Sequence, residues 1–119
     1  MIKLYLKALE KGSYENIIEL FTKNAIIISP LYGKIGASKF YKKLFMDTAK
    51  SKITLLNIFI SQNNIGAGHF RYDWVLKDGT PTSFECVDIF EFSNDNKIRR
   101  LTIIYDSCKI RQAFEKSKK

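Results

Sequence analysis

Between Gly66 and Phe92 the sequence alternates with period two on both sides of Asp78-Gly79. Alternation sends successive side chains to opposite faces of a strand, and Asp-Gly suits the positive φ angles of a tight turn. Two such arms with so short a connection predict a long antiparallel hairpin, Gly66 to Lys77 against Thr82 to Phe92. With a two-residue turn Lys77 faces Thr80, so Asp73 lies opposite Phe84, Arg71 opposite Cys86 and His69 opposite Asp88. In that register Phe70, Tyr72, Trp74 and Leu76 occupy the other, outer face. A three-residue loop or a bulge near Pro81 reverses the parity and turns those four toward Asp88, with His69, Arg71 and Asp73 outside. The preference of Asp-Gly for two-residue turns favours the first register.

Asp88 is the residue that points to function. It shares a strand face with Phe84, Cys86, Phe90 and Phe92. A carboxyl in such company must be paired, hydrogen-bonded or protonated, because burying an uncompensated charge costs several kcal/mol, roughly. In the first register the only histidine meets it, since facing side chains in a ladder lie about 4.5–5.5 Å apart at Cβ.

The N-terminal half reads as helical. Ile2, Tyr5, Leu6 and Leu9 have the spacing of one helix face, ended by Gly12. Ser13 caps a second helix carrying Tyr14, Ile17, Ile18 and Phe21. Ala25 to Ile28 is a short β-branched run stopped by Pro30, and Leu31 to Ile35 reads as a loop. Ala37, Phe40, Tyr41, Leu44 and Phe45 form the stripe of a third helix. Strands are expected at Lys52 to Gln62, in the two hairpin arms, and at Arg99 to Asp106, with residues 110–119 a basic tail or frayed helix. Three helices followed by an antiparallel meander give a single α+β domain over 1–119, its helices packed on one face of a curved sheet.

Composition excludes more than it assigns. No apolar run reaches the ~18–20 residues needed to span a bilayer, and Glu10 and Lys11 interrupt the N-terminal segment too soon for a secretion signal. A soluble, cytoplasmic protein is expected. Cys86 and Cys108 have neither zinc nor redox spacing, and one histidine excludes a His-rich metal site, so no metal or cofactor is expected. The net charge of +8 raises nucleic acid as a partner, but the basic residues are dispersed and the aromatics sit at core positions, which argues for a solvated surface instead.

The order of elements, together with several local patterns, resembles the NTF2-like superfamily in its SnoaL-like and ketosteroid isomerase-like branch. The patterns are Tyr5 to Gly12, Leu20 to Ala25 leading to Ser29-Pro30, Gly36 with Phe40, Val87 to Phe92 with Asn96-Lys97-Ile98, and Tyr105-Asp106. The resemblance implies an NTF2-like cone, a strongly curved sheet wrapped on a long helix around an apolar pocket. It also implies a homodimer through the outer sheet face. Tyr5 stands where the isomerases have their oxyanion-hole tyrosine, and Asp88 where they have the protonated aspartic acid beside it, which is a known case of a carboxyl kept neutral by apolar surroundings. The isomerase base is replaced by Ser29, which cannot shuttle a proton between carbons at neutral pH. The further pocket tyrosine on the third helix aligns with Leu44. Arg71-Tyr72-Asp73 partly resembles the Arg-x-Asp of limonene epoxide hydrolase-like enzymes, whose remaining acid would fall near Ile103.

These readings converge on a pocket for a small hydrophobic molecule. Tyr5, His69 and Asp88 are the candidate catalytic residues, with His69 as base, and Ser29, Arg71, Asp73, Cys86, Phe90 and Tyr105 are candidate substrate contacts. Isomerase, cyclase or hydrolase chemistry by proton transfer is one function compatible with this set. A non-catalytic ligand-binding or dimerisation module is the other.

Overall fold

Helix α1 (Ile2–Lys11) buries Ile2, Tyr5, Leu6 and Leu9 along one face, and ends where Gly12 turns left-handed at φ 68°. The Gly12 N–H reaches the carbonyls of Ala8 and Leu9, satisfying the last turn. The Ser13 hydroxyl accepts from the Asn16 N–H at 3.4 Å and starts α2 (Tyr14–Ile18). That helix is shorter than its apolar spacing predicts. Phe21 instead opens strand β1 (Phe21–Ser29), because it pairs with Ile98 in a parallel ladder that no local pattern announces.

The computed structural model describes all residues from Met1 to Lys119. After β1 come β2 (Gly33–Gly36), α3 (Ala37–Met46), β3 (Thr48–Ile60), β4 (Ile65–Leu76), β5 (Pro81–Phe92), β6 (Ile98–Ile104) and α4 (Cys108–Ser117). The six strands form one sheet in the order β2-β1-β6-β5-β4-β3, antiparallel except where β1 runs beside β6. Register shifts in β3 and at the end of β5 bend the sheet around the helices, as bulges do. The expected α+β cone is therefore present, with additions. The supposed loop 31–35 carries an edge strand. The basic C-terminal segment takes the helical one of its two expected forms, α4, burying Ile110 and Phe114 four residues apart on a helix otherwise rich in lysine and arginine.

The hairpin takes the other register. Leu76 donates its N–H to the Thr80 carbonyl at 2.9 Å and accepts from Gly79 at 2.8 Å, leaving Lys77, Asp78 and Gly79 as a three-residue loop. Gly79, at φ 91°, supplies the left-handed position of that loop rather than half of a two-residue turn. Two contacts fix the choice: the Lys77 N–H donates to the Asp47 carbonyl at 3.0 Å, and the Thr80 N–H donates to the Asp78 carboxylate at 3.0 Å. Gly68 consequently faces Asp88, Phe70 faces Cys86 and Tyr72 faces Phe84. Phe70, Tyr72, Trp74 and Leu76 are buried inside, and His69, Arg71 and Asp73 lie on the outer face. Gly79→Ala is expected to lower stability by about 1 kcal/mol through left-handed backbone strain, read as a lower urea midpoint. An unchanged midpoint would mean that the loop readily adopts another geometry.

Glycine has a different reason at Gly66 and Gly68. A Cβ there would meet the Ile2 side chain at 3.1 and 3.2 Å, so their bareness lets the start of α1 lie directly on β4.

Candidate functional site

The inner faces of β4, β5 and β6, together with α1, α3 and the turn after β1, enclose a cavity of about 40 Å³. Phe70, Tyr72 and Trp74 line it from β4, and Phe84, Cys86 and Asp88 from β5. Tyr5, Leu9, Phe40 and Leu44 reach it from helices, while Ser29, Tyr32, Ile103 and Tyr105 complete the wall. This apolar, aromatic lining is what the alternation of β4 and β5 produces once the three-residue loop has set the parity.

Asp88 is 1% exposed, and neither carboxyl oxygen has a hydrogen-bond partner in the protein. Burial alone holds its carboxyl well above the usual carboxylate range. Of the three ways an inward aspartate is tolerated, pairing and hydrogen bonding within the protein are both absent here. Tyr5 stands on the same wall, its hydroxyl sharing a 2.6 Å hydrogen bond with that of Tyr41. Its phenol is pushed above the ordinary value by burial first, then by Tyr41 and Asp88. Tyr41 is thus the hydrogen-bond partner of Tyr5, which no sequence pattern singled out. The third helix does bring a tyrosine to this region, three residues before Leu44, and it was legible only as part of the apolar stripe.

The remaining expected residues divide. Ser29 lies on the wall with its hydroxyl accepting the Tyr32 N–H at 3.1 Å. Cys86 lines the cavity as a thiol raised by burial and then by Asp88. Tyr105 stacks on Phe84 with ring centroids 4.3 Å apart. Phe90 sits behind the wall, edge-on to Tyr5 at 5.1 Å.

His69 does not reach Asp88. Its Nε2 donates to Glu85 at 2.9 Å and its Nδ1 lies 3.1 Å from the Asn57 amide, all on the outer face. Arg71 donates to Asp73 at 3.1 Å on the same face, and Asp73 also accepts from Ser83 at 2.8 Å. The Ser83 and Arg71 contacts hold the Asp73 carboxyl below its ordinary value, as expected of a surface pair. These three residues belong outside the pocket because each pairs with an odd-numbered residue of β5.

At the cavity's edge the Tyr32 hydroxyl donates to Asp47 at 2.7 Å, and Lys118, the residue that caps the C-terminus of α4, meets the same carboxylate oxygen at 3.0 Å. Trp74 donates through Nε1 to Thr48 at 2.8 Å. Nothing in the sequence marked Tyr32 or Asp47, which lie in a turn and at a helix end and converge only in the tertiary fold. No three His, Cys, Asp or Glu side chains converge as metal ligands do. No helix is long and apolar enough to cross a membrane.

Comparison with known proteins agrees with this architecture. TerC, crystallised with polyporic acid, superposes with TM-score 0.79 at 14% identity, covering 96% of this chain and 95% of its own. AclR from Streptomyces galilaeus gives TM-score 0.75 at 10% identity, with coverages of 97% and 78%. An NTF2-like protein of unknown function from Cytophaga hutchinsonii gives 0.73 at 14%, with coverages of 92% and 89%. No curated protein matches the sequence. A family model for the SnoaL-like domain matches residues 2–101, and the chain belongs to that family, within the NTF2-like fold.

Proposed function

We propose that the protein binds a small apolar molecule in this cavity and holds one oxygen of it on the Asp88 carboxyl. One observation carries the reading: a buried carboxyl with no protein partner lines an otherwise greasy space. Buried polar groups rarely stay unsatisfied, and a neutral acid offers a proton, so the matching ligand group is an acceptor such as a carbonyl or phenolic oxygen. The co-crystallisation of TerC with polyporic acid supports a small-molecule occupant.

Binding without proton abstraction accounts for the wall better than acid–base turnover does. The imidazole is on the outer face, Ser29 stands where a base is needed, and burial raises the wall tyrosines Tyr5, Tyr32, Tyr72 and Tyr105. Isomerase, cyclase or hydrolase chemistry is the second reading, favoured by the proton that Asp88 retains for donation to a substrate oxygen. The exposed Phe59 and Ile104, with Ala67, Val87 and Ile89 between them on the outer face, support a homodimer through the sheet. A cytoplasmic location completes the proposal.

Naphthalene and 2-acetylnaphthalene test the reading, with quenching of Trp74 on the cavity wall as the signal. The ketone is expected to bind roughly tenfold tighter than the hydrocarbon, the worth of one buried hydrogen bond. Asp88→Leu should erase that difference and His69→Ala should preserve it. Equal affinity of the native protein for both compounds would remove the role given to Asp88.

A further inference from the structure

A cavity of about 40 Å³ has room for roughly two or three waters and none for a molecule of naphthalene size. If the pocket reading is right, on which this inference rests, a wall must move. Phe70, Tyr72 and Trp74 stand on β4, hydrogen-bonded to β3 on one side and β5 on the other. Phe40 and Leu44 are fixed within α3. Two wall residues lie outside the helices and strands: Tyr105, which follows β6 and is stacked on Phe84 at 4.3 Å, and Tyr32, which sits in the turn between β1 and β2, outside the ladder that joins them.

Tyr32 is held from two sides: its ring lies edge-on to Phe40 of α3 at 5.3 Å and its N–H donates to Ser29, while the last helix supplies the other contacts. Its ring lies edge-on to Phe114 at 5.3 Å, and its hydroxyl shares Asp47 with Lys118. The Lys118 ammonium also rests 4.8 Å over the Phe114 ring, and Arg111 donates to the Pro30 carbonyl, two residues before Tyr32, at 2.8 Å. The turn is therefore fastened to α4 at its start and at its aromatic tip. Asp47 is 4% exposed, whereas the Lys118 side chain that meets it is 43% exposed, so the pair closes the turn at the protein surface.

We propose that Tyr32 is the gate of the cavity and α4 its bolt. Withdrawal of Lys118 from Asp47 frees the Tyr32 ring to swing out, and entry follows the opening of this turn rather than any parting of the sheet. Local openings of this kind are drawn from elements with few anchoring contacts, and α4 has two buried apolar side chains, Ile110 and Phe114.

Trp74 is the single tryptophan and lines the cavity, so acrylamide quenching of its emission reports the open state without any ligand. Lys118→Met removes the charge and keeps the stem over Phe114, and Tyr32→Phe removes the hydroxyl and keeps the ring. Both are expected to raise the quenching constant several-fold, while Lys116→Met, in the same turn of α4, leaves it unchanged. Hydrogen exchange across β4 and β5 should stay as slow as in the native protein. Association of 1-anilinonaphthalene-8-sulfonate should speed up in step with the quenching. Native-like quenching in both variants would overturn the gate, as would faster quenching accompanied by loss of protection throughout the sheet. Faster quenching with protection retained, but no entry of the dye, would leave the gate standing and sink the pocket reading instead.

Discussion

Asp88→Asn is expected to stabilise the protein at neutral pH and to leave it unchanged in strong acid. The unfolded chain releases the Asp88 proton near the ordinary value of 3.8, whereas the folded chain keeps it well above that value, because burial penalises the charged form. As pH rises past the unfolded value, the unfolded state binds fewer protons than the folded one, and stability falls. The slope is about 1.4 kcal/mol per pH unit, and it continues until the folded carboxyl itself ionises. Below the unfolded value both states are protonated and the penalty is absent. Asparagine has the same shape and no titration, so the gain of the variant should open with that slope as pH is raised. Urea melts of both proteins across an acid-to-neutral series measure it directly. Parallel stability curves would mean that the native carboxyl ionises normally and has a partner after all.

The second large effect concerns a residue beside the cavity rather than on its wall. Phe90 is fully buried, edge-on to Tyr5 and stacked on Phe92 at 6.0 Å. Phe90→Ala is expected to cost about 3–5 kcal/mol, a large part of the 5–15 kcal/mol, roughly, that holds a small domain together. Removing the ring also withdraws the support behind Tyr5, so affinity for an apolar ligand should fall even in the fraction that stays folded. His69→Ala is the internal comparison, with an expected change within about 0.5 kcal/mol because its contact with Glu85 is a surface pair. Thermal melts of the two variants side by side make the contrast. Similar losses in both would place the imidazole in a structural role that its outward position does not suggest.

The architecture was readable because it rests on periodicity. The stripes of α1 and α3, the alternation of β4 and β5, and the ordered resemblance to the NTF2-like pattern all survive in the fold. The inward position of Asp88 was legible too, from the company it keeps along one strand. What was not legible depended on contacts distant in sequence. The parity of the hairpin turned on whether Lys77 gives its N–H to Thr80 or to Asp47, and Asp47 belongs to another element altogether. With the Thr80–Asp78 contact, that bond goes with the register in which His69, Arg71 and Asp73 face outward and four large side chains face in. Helix α4 was obscured for a related reason: two apolar residues among many lysines carry little signal until Tyr32 and Trp74 are seen waiting for Phe114. The Tyr5–Tyr41 pair joins residues thirty-six apart, and no local pattern ties them.

The three-residue connection between Leu76 and Thr80 also bears on how such a chain can diversify. Because side chains alternate, a slip of one residue in the pairing of the two arms would turn the hollow inside out, exporting its aromatic furniture to solvent. Among descendants, that parity should outlast the identity of any residue within the bend.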